Sequence, residues 1–382
     1  MSLPIRIGIA GTGFIARGLL LALDLHSDLT VHKVLTRRRI AECTDFPKPG
    51  LITNSVEELI RNSDLVVECS GSVIEATETV DAVLKASVPV ITMNAELQIT
   101  TGSYFAEKGL FTESEGDQPG CLAALRENVL QMGFKPLVYG NIKGFLDLNP
   151  TEENMKLWSR RHGISLPMVT AFTDGTKIQI EQVLVANGLG AGLVVPGLLG
   201  PEAPDTEAGG SILAAEAKRL GFPISDFILS PKSPAGVFIV AEHDTRQRDA
   251  LSYFKMGGGP TYTLLHNYHL CHLEIVKTIR RVVAGGGVLL NNSARPRYSV
   301  AAIAKKRLAP GLKMKKGIGS FDVRGHAISI KHEPEHIPIG LLADATVIRP
   351  IEPDQMIRFA DVNLPDSLAA AIWRNIKTRV EG

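Results

Sequence analysis

The chain has almost no charge imbalance, few aromatic residues and no closely spaced cysteines, and each shortage narrows what it can be. Its 41 basic and 40 acidic side chains nearly cancel, so no overall field draws it to nucleic acid or an anionic membrane, and neither is expected as a partner. Cys43, Cys69, Cys121 and Cys271 are widely separated and form no C-x-x-C pair. That argues against a zinc ribbon, a redox motif or a disulfide framework, and it suits a reducing compartment. No run reaches the roughly 20 apolar residues of a membrane span. The apolar start has glycines spaced for a strand and a turn in place of a charged leader, so a cytoplasmic protein is expected.

What remains is an ordinary globular composition, 45% hydrophobic and 21% charged over 382 residues, long enough for two or three domains. From Ile5 to about Gly144, short apolar runs alternate with helical periodicity: IRIGIA, a helix over Phe14 to Leu25, VHKVLT, SVEELIRNS, DLVVECS, a helix over Ile74 to Lys85, PVITMN and KPLVYGN. This alternation predicts an α/β fold, a doubly wound parallel Rossmann sheet over residues 1–144. Residues 145–292 mix amphipathic helices with strand-like runs such as GVFIVAEH and read as an α+β substrate or dimerisation domain. Residues 293–366 turn to short strands rich in Gly, Pro and Lys (KKGIGSF, GHAISI, GLLADATVI, DQMIRFADV), which predicts a small all-β unit. Residues 367–382 close the chain with a helix on which Leu368, Ile372 and Ile376 share a face.

The firmest signal is IRIGIAGTGFIARG. Gly11, Gly13 and Ala16 hold the G-x-G-x-x-A spacing between a buried strand and a helix: the first allows a tight turn, the second lets backbone approach a pyrophosphate, and the third lets helix and strand pack closely. The unpaired N–H groups at Thr12, Gly13, Phe14 and Ile15 open a positive helix end to that anion. At the end of the second strand, where an acid would grip the ribose hydroxyls of NAD, stand Thr36, Arg37 and Arg38. Guanidinium groups suit a 2′-phosphate, so NADP(H) is preferred over NAD(H). Ser70, Gly71 and Asn94 end successive strands, where nicotinamide and substrate should meet.

GIAGTGFIARG, VVECSGS and VITMNAEL resemble the NAD-binding domain of homoserine-dehydrogenase-like oxidoreductases, and FTDGTKIQIEQVLVANGLG is similar to the strand, Gly-Thr turn and helix that open their substrate site. The C-terminal region resembles the SAF domain, a β-clip module. The three parts together, with EGDQPG at 115–120 and YFKMGGGPTY…YHLCHLE at 253–274, resemble the DRL family of reductoisomerase-like oxidoreductases. The resemblance implies an NAD(P)-dependent dehydrogenase or reductoisomerase and a homodimer or higher homo-oligomer. Its substrate would be a small polyhydroxylated molecule, phosphorylated or carboxylated in some relatives; one DRL-type enzyme converts deoxyxylulose phosphate to methylerythritol phosphate. Homoserine dehydrogenases carry a lysine just after the asparagine of the nicotinamide strand, whereas this chain reads Asn94-Ala95-Glu96, which argues against homoserine itself.

Hydride transfer to a carbonyl needs a group that protonates the alkoxide. Lys177 is the first choice. It falls in the first turn of a helix capped by Asp174 or Thr176, where the positive helix end and burial are expected to lower its pKa. Glu181, one turn on, would orient the ammonium. Asp117 and Gln118 are placed to bind or work on substrate hydroxyls, Asn141 and Lys143 to meet the substrate from the last Rossmann strand, and Tyr262 to line the pocket. His269 is the histidine chosen as a further acid or substrate ligand. His266, His269, Cys271, His272 and Glu274 include zinc-type ligands, but a histidine every third residue suits neither a helical i, i+4 pair nor one face of a strand, so no metal is expected. Two other readings stand beside the enzyme: a cofactor-binding sensor or assembly protein without chemistry, and a carbohydrate-binding or lyase role centred on the SAF-like segment.

Overall fold

The computed structural model describes residues 3–381. Six parallel strands, β1 (Ile5–Ala10), β2 (Leu29–Leu35), β3 (Ile52–Thr53), β4 (Leu65–Glu68), β5 (Val90–Thr92) and β6 (Phe111–Glu113), form a sheet in the order β3-β2-β1-β4-β5-β6. This is the doubly wound order, in which ligands sit beyond the carboxyl ends of the strands near the reversal at β1/β4. Ile7, Ile9, Val66, Val67, Val90 and Ile91 are almost fully buried, as expected for strands covered by helices on both faces. Helices Phe14–Leu23 and Val73–Lys85 provide part of that cover; the first stops two residues before the expected Leu25.

The second sheet has the order β10-β9-β7-β8, built from β7 (Lys135–Lys143), β8 (Ile224–Leu229), β9 (Gly236–Glu242) and β10 (Thr261–His266). β7 runs parallel to β8 and antiparallel to β9. KPLVYGN is therefore a central strand of the second sheet, and the Rossmann sheet ends at β6, not near Gly144. Periodicity marks a buried strand without saying which sheet it joins, and helix Gln118–Gln131 already packs on this second sheet. Helix Thr176–Leu189 is buried for most of its length. The residues before it, Leu166–Thr173, are helical and not the expected strand; a left-handed Gly175 makes the turn between the two helices.

In the C-terminal region β11 (Tyr298–Ala304) and β12 (Val323–Ser329) pair antiparallel, with further short bridges such as Ile303 with Met356. KKGIGSF forms turns and not a strand. This region shares its core with the rest of the chain. Val300, Ala302, Val323 and Ala327 belong to the same apolar cluster as Ile178 and Leu184 of the buried helix, Val80 and Val83 of the Rossmann domain, and Trp373 and Ile376 of the closing helix Leu368–Glu381. Cutting the chain near Asn292 would open that core and not simply remove a module.

Candidate active site

The groove at the carboxyl ends of β1 and β2 is lined by Gly11, Thr12, Gly13, Thr36, Arg37, Arg38 and Ser70. Gly11 has φ 119°, and a Cβ there would lie 2.8 Å from the Cys69 carbonyl oxygen, so only glycine fits this turn. Gly13 is the N-cap of helix Phe14–Leu23 and supplies no capping side chain, which leaves the first N–H groups for a ligand. A Cβ at Gly13 would meet nothing within 4 Å. Phe14 is largely exposed and Ile15 half-buried. Thr12 and Thr36 hydroxyls lie 3.3 Å apart and link the two strand ends. Arg37 pairs with Glu75, while Arg38 and Arg17 share Asp45. The turn and the open helix end fit a pyrophosphate, and the Arg37 and Arg38 side chains line the same groove.

At the ends of β4 and β5 the backbone is held by buried polar groups. Glu68 accepts hydrogen bonds from the Ser70 N–H at 2.7 Å and hydroxyl at 2.5 Å, and from the Thr92 hydroxyl at 2.8 Å. Gly71 has φ 71°. The Asn94 side-chain oxygen Oδ1 caps the next helix by accepting from Leu97 N–H at 2.9 Å, and its side-chain amide donates to the Ser72 carbonyl. That helix runs from Ala95 through a wide π turn, Gln98–Gly102, to Phe105, and its second residue is Glu96.

Glu96 reaches the second domain. Lys177 Nζ lies 3.2 Å from Glu96 Oε1, 3.3 Å from Glu96 Oε2 and 3.6 Å from Asp117 Oδ2. Asp117 is placed as the N-cap of helix Gln118–Gln131. This turn is tight because a Cβ at Gly120 would fall 1.8 Å from the Ser114 carbonyl oxygen. Alongside, the Asn141 amide bridges Gln118 Oε1 at 2.8 Å and Glu181 Oε2 at 2.9 Å, and Lys143 Nζ lies 3.2 Å from Gln118 Oε1 and 3.6 Å from Glu181 Oε2. Lys177, Asp117, Gln118, Asn141, Lys143 and Glu181, scattered over 65 positions of sequence, thus form one polar group on β7 and two helices.

Three expectations need correction. Burial by itself lowers the Lys177 pKa, but Asp117, Glu96, Glu181 and Glu113 together outweigh it and raise the pKa above the ordinary lysine value; Lys177 stays an ammonium. Glu181 does not take Lys177 as its hydrogen-bond partner, being held by Asn141 beside Lys143. Tyr262 is buried with Phe134 and Tyr139 in a separate core cluster; it pairs with Ala241, at the opposite end of β9 from the Val237 that pairs with Asn141, so it does not join the polar group.

Three carboxylates were not singled out from sequence: Glu68, Glu96 and Glu113. Each ends or follows a Rossmann strand, and a charged residue closing an apolar run was the available signal. Glu113 is fully buried and neither of its carboxyl oxygens has a hydrogen-bond partner among the described residues. Burial first, then Asp117, raises its pKa well above the usual carboxylate range. Burial likewise raises Glu181, opposed by Lys143 and Lys177.

Segment 266–274 packs against the cofactor helix, with the His272 and Phe14 rings edge to face at 5.7 Å. His269 Nδ1 lies 3.6 Å from Cys271 Sγ. His266 and Glu274 come together with Cys121, whereas His269 and His272 point elsewhere. Among the described residues no helix is long and apolar enough to cross a membrane.

Residues 116–275 match the model of the oxidoreductase DRL catalytic domain, and residues 11–107 match the NAD-binding domain of homoserine dehydrogenase. No curated protein sequence matches the chain. Similar solved structures include a hyperthermophilic archaeal homoserine dehydrogenase in complex with NADPH, at 14% identity and TM-score 0.45, covering 74% of this chain and 98% of that one. Another is the UDP-N-acetylglucosamine 3-dehydrogenase from Acidithiobacillus ferrooxidans, at 13% identity and TM-score 0.44, covering 76% and 93%. A putative myo-inositol dehydrogenase from Sinorhizobium meliloti 1021 is similar at 10% identity and TM-score 0.40, covering 74% and 90%. The chain thus joins a homoserine-dehydrogenase-type NAD-binding domain to a DRL oxidoreductase catalytic domain and is an NAD(P)-dependent oxidoreductase.

Proposed function

We propose that this oxidoreductase is an NADP(H)-dependent dehydrogenase of a small polyhydroxylated substrate, with Lys177 as the group that meets the reacting oxygen. The observation that carries this reading is the buried Lys177 ammonium between Glu96 at the end of the nicotinamide strand and Asp117 of the DRL domain. Gly11, Gly13 and the open helix end would hold the pyrophosphate, and Arg37, Arg38 and Arg17 favour a 2′-phosphate over a bare ribose. The bound nicotinamide supplies or takes the hydride.

Because Lys177 is held protonated, it stabilises the developing alkoxide as a hydrogen-bond donor and delivers the proton; in the oxidative direction the same path runs backwards, the alcohol proton returning to Lys177, with Asp117 the adjacent carboxylate through which the lysine exchanges it. Gln118 and Asn141 have further amide groups to orient substrate hydroxyls. Lys177 and Lys143 already face Glu96, Asp117 and Glu181, so a dianionic phosphate would meet surplus negative charge. This disfavours sugar phosphates and favours neutral polyols, or sugar acids whose single carboxylate meets Lys143. Reductoisomerase chemistry on a sugar phosphate is correspondingly the weaker reading.

The test is turnover of a polyol and sugar-acid panel beside sugar phosphates with NADP(H) and NAD(H). Lys177→Ala should keep cofactor affinity and lose roughly 10²–10⁴-fold in kcat; undiminished kcat removes Lys177 from the chemistry. Arg38→Ala should weaken NADPH several-fold more than NADH, and equal weakening would remove the cofactor preference.

A further inference from the structure

Cys121, His266 and Glu274 come from three separate elements: helix Gln118–Gln131, the last residue of β10, and the residue before helix Ile275–Val283. Each turns one ligand-type atom to a common point, and the three atoms all lie within 4.8 Å of one another. Cys121 Sγ is 3.9 Å from Glu274 Oε2, and His266 Nε2 is 3.8 Å from Glu274 Oε1. Cys121 is fully buried and Glu274 nearly so. His266 Nε2 has no hydrogen-bond partner among the described residues, although it faces that buried carboxylate.

We propose that these three side chains form a binding site for a zinc-type divalent cation, separate from the Lys177 group. A thiolate, an imidazole and a carboxylate are the mixed donors that Zn²⁺ accepts and that Mg²⁺ and Ca²⁺, which take oxygen, do not select. Two ligands of one tetrahedral zinc lie about 3.5 Å apart, so the Cys121–Glu274 and His266–Glu274 separations need to contract by a few tenths of an ångström, and the third, within 4.8 Å, closes as the side chains turn to the ion. Three protein ligands leave a fourth position for water or another donor.

The surrounding charges fit an exchange of cations. Glu274 Oε1 accepts a hydrogen bond from Lys277 Nζ at 2.9 Å, and the Leu270 N–H donates to Oε2 at 2.7 Å. Lys277 is half exposed and has a second acceptor in Glu115 Oε2 at 3.2 Å, to which it can turn when another cation takes Glu274. Leu270 N–H meanwhile fixes the carboxylate's orientation, as outer partners of metal ligands do. The ion would tie segment 266–274, which rests on the cofactor helix, to the helix that begins at Asp117. Metal binding requires neither turnover nor the substrate assignment above.

The full chain, stripped with a chelator, is titrated with Co²⁺ and followed by absorption. One equivalent should produce a thiolate-to-cobalt charge-transfer band that Zn²⁺ displaces and Mg²⁺ does not. Cys121→Ser should abolish the band and His266→Ala should weaken binding at least tenfold, while Cys271→Ser keeps both; far-ultraviolet circular dichroism in chelator shows whether each variant is folded. Lys277→Met should tighten binding several-fold by removing the competing ammonium. Absence of a thiolate band at one equivalent, its survival in folded Cys121→Ser, its loss in Cys271→Ser alone, or weaker binding in Lys277→Met would overturn the site. If Cys121→Ser fails to fold, the His266 and Lys277 variants decide the question.

Discussion

Two buried lysines flank the start of helix Thr176–Leu189, and they are held in opposite ways. Lys305 is closed in: its Nζ lies 2.6 Å from Asp174 Oδ2 and 2.7 Å from the Ser320 carbonyl oxygen, with side-chain exposures of 4% for the lysine and 0% for the aspartate. Asp174 uses its other oxygen to accept from the Thr176 N–H at 2.9 Å, so the pair also fixes the helix start and fastens the C-terminal region to it. Lys177, one residue inside the same helix, has longer contacts of 3.2 to 3.6 Å to Glu96 and Asp117 and lies among more carboxylates than it can neutralise. A buried charge with short, complete partners holds a fold together, whereas one with loose and surplus partners retains the freedom to exchange a proton.

The largest stability effect should therefore come from Lys305. Lys305→Met leaves the Asp174 carboxylate buried and uncompensated, and the expected loss is about 3–5 kcal/mol in denaturant unfolding. Lys177→Met, at the position proposed to meet the reacting oxygen, should cost only about 1–3 kcal/mol, since Glu181, whose pKa burial already raises, can take up a proton. Equal losses would dissolve the distinction between the two lysines.

A second effect sharpens it. Asp174→Asn combined with Lys305→Met removes both charges and keeps the side-chain oxygen that accepts from Thr176, so most of the lost stability should return. The double variant should also retain kcat within about tenfold, because neither residue touches the reacting group. A kcat as low as that of the Lys177 variant would mean that the Lys305 pair participates in the chemistry.

The sequence made the local devices legible and left the long-range ones hidden. The Gly11–Gly13 turn is readable because strand, glycine spacing and helix are contiguous, and the polar group around Lys177 was approachable because Asp117, Asn141, Lys143 and Lys177 itself all lie near element ends. Which acids surround Lys177 was not legible. Glu96 reaches it across 81 positions, Glu113 approaches from the edge of another sheet, and Asp117, Glu96 and Glu181 together reverse the pKa shift expected from the helix end and burial. The assignment of β7 failed for a similar reason: apolar alternation encodes burial, and only tertiary pairing tells which sheet provides it. His266 and Glu274 stand in one short run of zinc-type ligands, but Cys121 lies far from them in sequence, and Asp174 and Lys305 meet across 131 positions.

The smallest effect tests the excess of acid on the Lys177 side. Among the described residues Glu113 has no hydrogen-bond partner for either carboxyl oxygen, and its pKa is raised, first by burial and then by Asp117. In the unfolded chain it ionises near the ordinary value of about 4.3. The folded state thus holds a proton that the unfolded state releases, and this contribution to stability is complete below about pH 4 and is lost as pH rises through the raised folded value. Glu113→Gln replaces a carboxylic acid with a neutral group of similar shape and removes that dependence. Its unfolding temperature should meet the wild type's below about pH 4 and exceed it at mildly alkaline pH. The opposite result, a variant that loses stability as pH rises, would show Glu113 ionised and paired with Lys177. In that case Lys177 would be as fully partnered as Lys305, and the difference between them would have to lie in substrate access and not in charge.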